Sequence, residues 1–200
     1  MTTPPYRDRL RLKALAIAAR IAASEGLAAL QARRIATEAG CSVGSLYNVF
    51  GDMDGLVVAV NRETVRLLGD ELMASFTASE ESQVEQRLMQ LALTYMHFAL
   101  DHQNRWRAVF EHRQPDGREV PADYRADQAR LLGLIEAVIA GDVTDSSLRR
   151  HAARALFAAI HGIIMLALDE KLAHFDREAM ESEIRFIVSA AAHGLARART

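Results

Sequence analysis

A single cysteine, Cys41, stands in a chain of 200 residues that holds only four prolines, eleven glycines and 6% aromatic side chains. One thiol cannot build a disulfide framework and suits a reducing compartment. Placed beside Gly40, it reads as a small packing residue inside a turn. Scarce Pro and Gly beside abundant Ala remove the usual interruptions and favour helix throughout, and no run of period two is long enough to assign a strand. Without an uninterrupted 18-residue apolar run or a signal-peptide core, the chain is expected to be soluble and cytoplasmic, with no membrane partner. Enzyme signatures are missing as well: there is no HExxH, no ExxH of the di-iron type and no P-loop. Gly40-Cys41-Ser42-Val43-Gly44 spells G-x-S-x-G, yet a nucleophile elbow needs a strand ahead of the serine, and a helix precedes this one. His97, Asp101 and His102 share one helix, but only an i,i+4 pair shares a face, and two ligands do not close a metal site. No catalytic residue, metal or cofactor is expected.

What the chain does have is apolar content, half of all residues, which is ample for a packed core in one or two domains. Its formal charge is −2 overall but unevenly spread. Residues 1–51 carry seven Lys or Arg against three Asp or Glu, a net +4, which leaves −6 on the remainder. A basic head on an acidic body is the footprint of a protein that meets a polyanion at one end.

The stretch from Ala32 to Phe50, ARRIATEAGCSVGSLYNVF, organises the rest. Ile35, Ala36 and Ala39 fall on one face of a short helix, which Gly40 can end in the left-handed conformation. Ser42 is an N-cap for a second helix, Val43 to Phe50, with Val43, Leu46 and Phe50 or Val49 turned inward and Gly44, Ser45, Tyr47 and Asn48 outside. Two short helices across a tight turn form a helix-turn-helix, whose second helix enters the major groove of double-stranded DNA. Gly44 and Ser45 permit close approach, while the serine hydroxyls, the first backbone N–H groups and Tyr47 are suited to phosphate. An ordinary helical hairpin at a surface is the competing reading.

From Ala14 to about Leu56 the chain, through AIAARIAASEG and RRIATEAGCSVGSLYNVF, resembles the start of the tetracycline-repressor (TetR) family of bacterial transcription regulators. The resemblance implies an all-α homodimer with a DNA-reading head and a body that senses a small molecule. It implies that Arg33 approaches the DNA, that Val43, Gly44 and Ser45 begin the recognition helix and that Tyr47 with Asn48 lies along the phosphates; Gln31, Arg34 and Ser42 complete the expected DNA-contacting set. Three positions depart from the usual pattern: Ala32 replaces a small hydroxyl residue, Val49 a His or Tyr, and Met53 a phosphate-binding Lys. These bear on affinity rather than fold.

Taken in order, Thr2 to Arg11 is expected to begin as a mobile arm with phosphate-gripping arginines. Leu10, Ala14, Ile17, Ala18 and Ile21 stripe a first helix ending at Ser24-Glu25-Gly26, with Leu27 and Leu30 closing its core. Asp52 caps a long helix to Phe76, followed by an exit loop from Thr77 to Ser82. Further helices are expected at Gln83–Asp101, Asn104–His112 (Trp106, Val109 and Phe110 inward), Pro121–Ala140, a stretch from Asp145 or Ser146 to Leu168, and Asp176–Ala198, with a surface loop from Gln114 to Pro121. The stretch after Ala152 is apolar nearly all round and should be buried on more than one side, and Gly162 should mark close helix packing. Surplus apolar surface on the last two helices suggests a four-helix contact with a second copy.

Trp106, the run Phe110-Glu111-His112-Arg113, Tyr124 and the pair His161-Gly162 resemble the C-terminal domain of a TetR subgroup. The expected division is a DNA-binding domain at residues 1–52 and an effector-binding and dimerisation domain at 53–200. Trp106, Phe110, Tyr124, His161 and Met165 are the candidate effector residues, an apolar set with a few polar groups. A buried histidine is more often a satisfied core residue, so a plain core is the alternative there. The expected function is a ligand-responsive repressor on a palindromic operator; the alternative is a helical small-molecule binder or enzyme built on the Trp106/His161 cavity.

Overall fold

The computed structural model describes residues 5–78, 83–115, 117–170 and 175–197. Among them are nine α-helices and no strand: α1 (Tyr6–Glu25), α2 (Ala32–Ala39), α3 (Val43–Phe50), α4 (Met53–Ala78), α5 (Val84–Asp101), α6 (Gln103–Glu111), α7 (Ala122–Ile139), α8 (Ser146–Leu168) and α9 (Arg177–Arg197). One turn of 3₁₀ helix, Leu27–Ala29, links α1 to α2. The chain forms two compact units, residues 1–67 with 101–125, and residues 68–100 with 126–200. Residue 52, the expected domain boundary, lies inside the first unit, and α4 and α7 contribute to both.

Local chemistry sets the helix ends. Gly40 closes α2 at φ 72° and ψ 39°, a conformation that strains any residue with a Cβ. Ser42 Oγ accepts from Ser45 N at 3.0 Å, and Asp52 Oδ1 accepts from Gly55 N at 2.8 Å. Asp145 caps α8 through Ser147 N at 2.7 Å, and Asp176 caps α9 through Ala179 N at 2.9 Å. Each cap satisfies a donor that the first helical turn leaves orphaned and is worth about 1 kcal/mol. The exit loop expected from Thr77 is helical through Ala78; residues 79–82, like 1–4 of the expected arm, Asp116 of the surface loop and Ala198, lie outside the described residues.

In the first unit, Leu10, Ala14, Ala18 and Ile21 of α1 form a buried stripe against Ile35, Ala36 and Ala39 of α2, Leu46 and Phe50 of α3, and Leu56 and Val60 of α4. Leu27 and Leu30 are only half-buried. The unit continues onto α6, which packs on α1. Asn104 Nδ2 donates to the Ala23 carbonyl at 3.1 Å, and the buried Asn61 donates to the Ala108 carbonyl at 2.9 Å. Trp106 is fully buried here, but Phe110 is 40% exposed, contrary to its expected inward position. One turn past Trp106, it lies against that indole, 5.2 Å between ring centres, and over the edge of the core.

In the second unit, α8 packs on α9. Ala153, Leu156, Ile160, Ile164 and Ala167 form the buried stripe of α8, and Met180, Ile184 and Val188 that of α9. The expectation that the stretch after Ala152 is buried on more than one side fails within one chain. Leu148 and Leu166 are 42% and 43% exposed, Phe186 of α9 is 69% exposed, and a Cβ built at Gly162 or Gly194 meets nothing within 4 Å. Gly162 therefore reports no packing inside the chain. An 18-residue window of α8 reaches a mean hydropathy of 1.6 despite its Arg and His, enough by length and composition to cross a membrane. Such a window also suits a helix whose apolar face meets protein.

Candidate nucleic-acid interface

The helix-turn-helix is held from behind by arginines. Arg34 makes a two-pronged pair with Glu25, at 2.6 and 2.8 Å, and also reaches Glu38 at 3.4 Å; Glu38 in turn binds Arg20. These contacts hold the Glu25 carboxyl below, and the Arg34 guanidinium above, its ordinary pKa. Arg34 thus ties α2 to α1 and already has its guanidinium engaged. Arg7 donates to the Asn48 carbonyl at 3.2 Å and Arg11 to the Val49 carbonyl at 3.3 Å, while Arg11 also lies 5.0 Å above the Phe50 ring. Two cations thereby cap the C-terminal, negative end of α3. The arm expectation changes with this: from Tyr6 onward these arginines are helical, because Pro5 supplies the extended residue before a helix start.

The outward face of α2 and α3 looks different. Gln31 and Arg33 are exposed, and Arg33 makes no ion pair among the described residues. Ser42, Gly44 and Asn48 are exposed, and Val43, Ser45 and Tyr47 half-buried. Ser42 and Ser45 hydroxyls lie 2.9 Å apart, which orders both at the N-terminus of α3. A Cβ at Gly44 would find its nearest neighbour, Ser42 Oγ, at 3.7 Å, an ordinary contact. Packing within the chain does not require glycine there. Leu46 and Phe50 anchor the opposite side of α3 in the core. A helix buried on one side and small, polar and donor-rich on the other has the form of a groove-reading helix.

Two family models cover most of the chain. Residues 14–60 match the bacterial regulatory proteins of the tetR family, and residues 88–191 match the tetracyclin repressor-like C-terminal domain. The chain belongs to the TetR family. It is a DNA-binding transcriptional regulator with a helix-turn-helix head and an all-α C-terminal domain. Solved structures share the fold at low identity. A protein of unknown function from Rhodococcus sp. RHA1 is 24% identical with TM-score 0.70, covering 94% of both chains. A TetR-family transcriptional regulator from Streptomyces coelicolor is 18% identical with TM-score 0.65, covering 94% of this chain and 99% of its own. The multidrug binding protein EbrR, solved with imidazole, is 21% identical with TM-score 0.63, covering 94% and 96%. No curated protein matches the chain.

The five candidate effector residues of this TetR regulator divide between the units. Trp106, Phe110 and Tyr124 belong to the first, His161 and Met165 to the second. His161 stands with two aromatics that sequence reasoning did not group with it. Its Nδ1 is 2.9 Å from the Tyr95 hydroxyl, and its ring stacks on Phe157 at 5.6 Å. Burial holds the His161 pKa below its ordinary value, so the ring is neutral at physiological pH. Phe157 lies four residues before His161, a helical spacing that could have paired them. Tyr124 is 5% exposed, and burial pushes its hydroxyl up to about 12.

Beside Tyr124, the segment after α6 is fastened to the start of α4. Arg118 makes two bonds to Asp52, at 2.6 and 3.0 Å, His112 Nε2 lies 3.0 Å from Asp54, and Arg62 pairs with Asp123. The Arg118 pair, followed by the Gly55 amide, depresses the Asp52 carboxyl to about 2. Partners separated by 58 to 66 residues left no local signal in the sequence.

Proposed function

We propose that the protein is a homodimeric, ligand-responsive repressor that places one helix-turn-helix per protomer in successive major grooves of a palindromic operator. The observation that carries this is the outward face of α3: ordered serine hydroxyls, an unneeded glycine and exposed polar side chains on a helix pinned from behind. On this reading Val43, Gly44 and Ser45 meet base edges, while Gln31, Arg33, Ser42, Tyr47 and Asn48 meet the backbone, and Arg34 acts by fixing α2. Residues 1–52 read DNA, and residues 53–200 sense and pair. Pairing uses the uncovered face of α8 and α9, where Leu148, Leu166 and Phe186 with Gly162 and Gly194 offer apolar surface and room for a close partner helix. The two recognition helices then stand about 34–36 Å apart, one turn of DNA.

An effector that prefers the non-binding arrangement would release the operator by shifting the population, with α4 as the covalent path shared by both units. The Tyr95, Phe157 and His161 cluster, with Met165 one turn on, is the body's candidate for its recognition. That EbrR binds multiple drugs supports a small-molecule role for this fold. We place the protein in the cytoplasm, with no membrane partner and no reaction of its own. The deciding experiment is a binding titration of the full-length protein against DNA from upstream of its own gene. Saturable binding by two protomers at physiological salt supports the reading; affinity no better than for random duplex removes it.

A further inference from the structure

The recognition helix α3 is only eight residues long, and a helix that short does not hold its shape in water without help from its surroundings. Its N-terminus is capped locally by Ser42. Its C-terminus is served from elsewhere. Of the last four carbonyls, which have no partner inside a helix, that of Tyr47 accepts from the Gly51 amide at 2.7 Å. The next two, those of Asn48 and Val49, accept from no backbone amide among the described residues; Arg7 and Arg11 donate to them instead, at 3.2 and 3.3 Å. The two arginines stand one turn apart on one face of α1, so both reach the same helix end. Their neighbours Leu10 and Ala14 are buried in the core that also holds Leu46 and Phe50 of α3. Arg11 in addition lies over the Phe50 ring, 5.0 Å from its centre. Helix α1 therefore grips the end of α3 through two charged donors, a stacked guanidinium and a shared core.

The grip at that end governs what happens at the other. Gly44, at the base-reading end, precedes Val49 by about 7.5 Å along the helix axis. A tilt of about 10° about the C-terminal end carries it about 1.3 Å, more than the range over which a hydrogen bond survives. We propose that Arg7 and Arg11 are positioning residues for sequence recognition: they set the tilt of α3 in the groove and do not meet DNA themselves. This rests on the DNA-reading face put forward above. A cation seated on a phosphate strengthens binding to any duplex and steepens its salt dependence, because it displaces a counterion. One that sets the tilt of a reading helix strengthens chiefly the binding of the right sequence. The two roles therefore separate in measurement. Arg33, exposed and making no ion pair among the described residues, supplies the contrasting phosphate-type cation on the same head.

The test compares the full-length wild type with an Arg7→Ala, Arg11→Ala double variant and with Arg33→Ala, by fluorescence anisotropy across a series of salt concentrations. Two duplexes of equal length serve as probes, one from upstream of the protein's own gene and one of random sequence. The double variant should lose about tenfold on the upstream duplex and less than about twofold on the random one, with the salt slope on the random duplex unchanged. Arg33→Ala should weaken both alike and lower that slope. Without DNA, amide exchange at Phe50 and Gly51 should quicken about fivefold or more in the double variant, because the last turn of α3 has lost its donors. Should the double variant fail to fold, Arg7→Ala alone, which removes a single surface hydrogen bond, is judged by the same readouts. An equal loss on both duplexes with a shallower slope overturns the proposal and returns the arginines to the phosphates. No loss on either duplex overturns it as well, as does unchanged exchange at the end of α3. A wild type that binds both duplexes equally contradicts the operator reading instead, and the exchange rates then decide the clamp by themselves.

Discussion

The recognition helix α3 and the long helix α8 each present a face that the chain's own packing leaves uncovered, but the two faces differ in chemistry. On α3 the uncovered side is small and hydroxylic, with Gly44 exposed and the Ser42 and Ser45 hydroxyls 2.9 Å apart. On α8 it is aliphatic, with Leu148 and Leu166 more than two-fifths exposed. A surface that cannot hide apolar area must find a protein partner, whereas one that keeps donors in water can exchange them for phosphates and base edges. The leftover surface thus tells more about partners than the core does.

Breaking the apolar side should have the larger effect. Leu166→Asp with Phe186→Asp, on adjoining helices, should convert a dimer to a monomer in sedimentation. Operator affinity should then fall by about a hundredfold or more, since the second head loses its tethered advantage. On the polar side, Arg33→Ala with Tyr47→Phe should weaken operator binding about tenfold or more while leaving the dimer intact. Arg33→Ala alone should lower the salt dependence by about one counterion. The sharpest separation of fold from function is Gly44→Ala. With its nearest contact at 3.7 Å, the methyl should hold or raise helix stability by up to about 1 kcal/mol in denaturant melts, yet weaken DNA binding. A destabilised Gly44→Ala protein would mean that the glycine serves packing after all.

The smallest expected effect is on pH. Burial lowers the His161 pKa in the folded chain, so the unfolded chain binds more protons just below the ordinary histidine value. Stability should therefore be complete above about pH 6.5 and decline as the pH falls below it. His161→Phe should flatten that decline in urea midpoints measured between pH 7 and 5. Asp52, depressed to about 2 by Arg118, should contribute nothing to that slope; its stabilising contribution is complete above the ordinary carboxylate value near about pH 4 and is lost as the pH falls toward about 2.

Much of this was legible from local chemistry. Gly40, Ser42, Asp52, Asp145 and Asp176 all announce helix ends, because caps act within three residues of themselves. The core faces of α1 to α4 follow from apolar spacing, and the family resemblance named residues now proposed to meet DNA. What sequence could not give was which partner covers an apolar face: Phe110 reads inward by periodicity yet caps the edge of the Trp106 core, and Gly162 promised packing that one chain does not supply. Nor could it give pairings across the fold. Arg7 and Arg11 looked ready for phosphate but bind the carbonyls at the end of α3, 38 to 41 residues away. Arg34, expected at DNA, is engaged by Glu25 and Glu38.

The central claim, that the outward face of α2 and α3 is the DNA-reading surface, is tested most directly by fluorescence anisotropy with upstream DNA at physiological salt. Wild-type protein and the Arg33→Ala, Tyr47→Phe double variant would be compared at matched dimer content. The account predicts tight, saturable binding for the first and at least about a tenfold loss for the second. Equal affinities would contradict it.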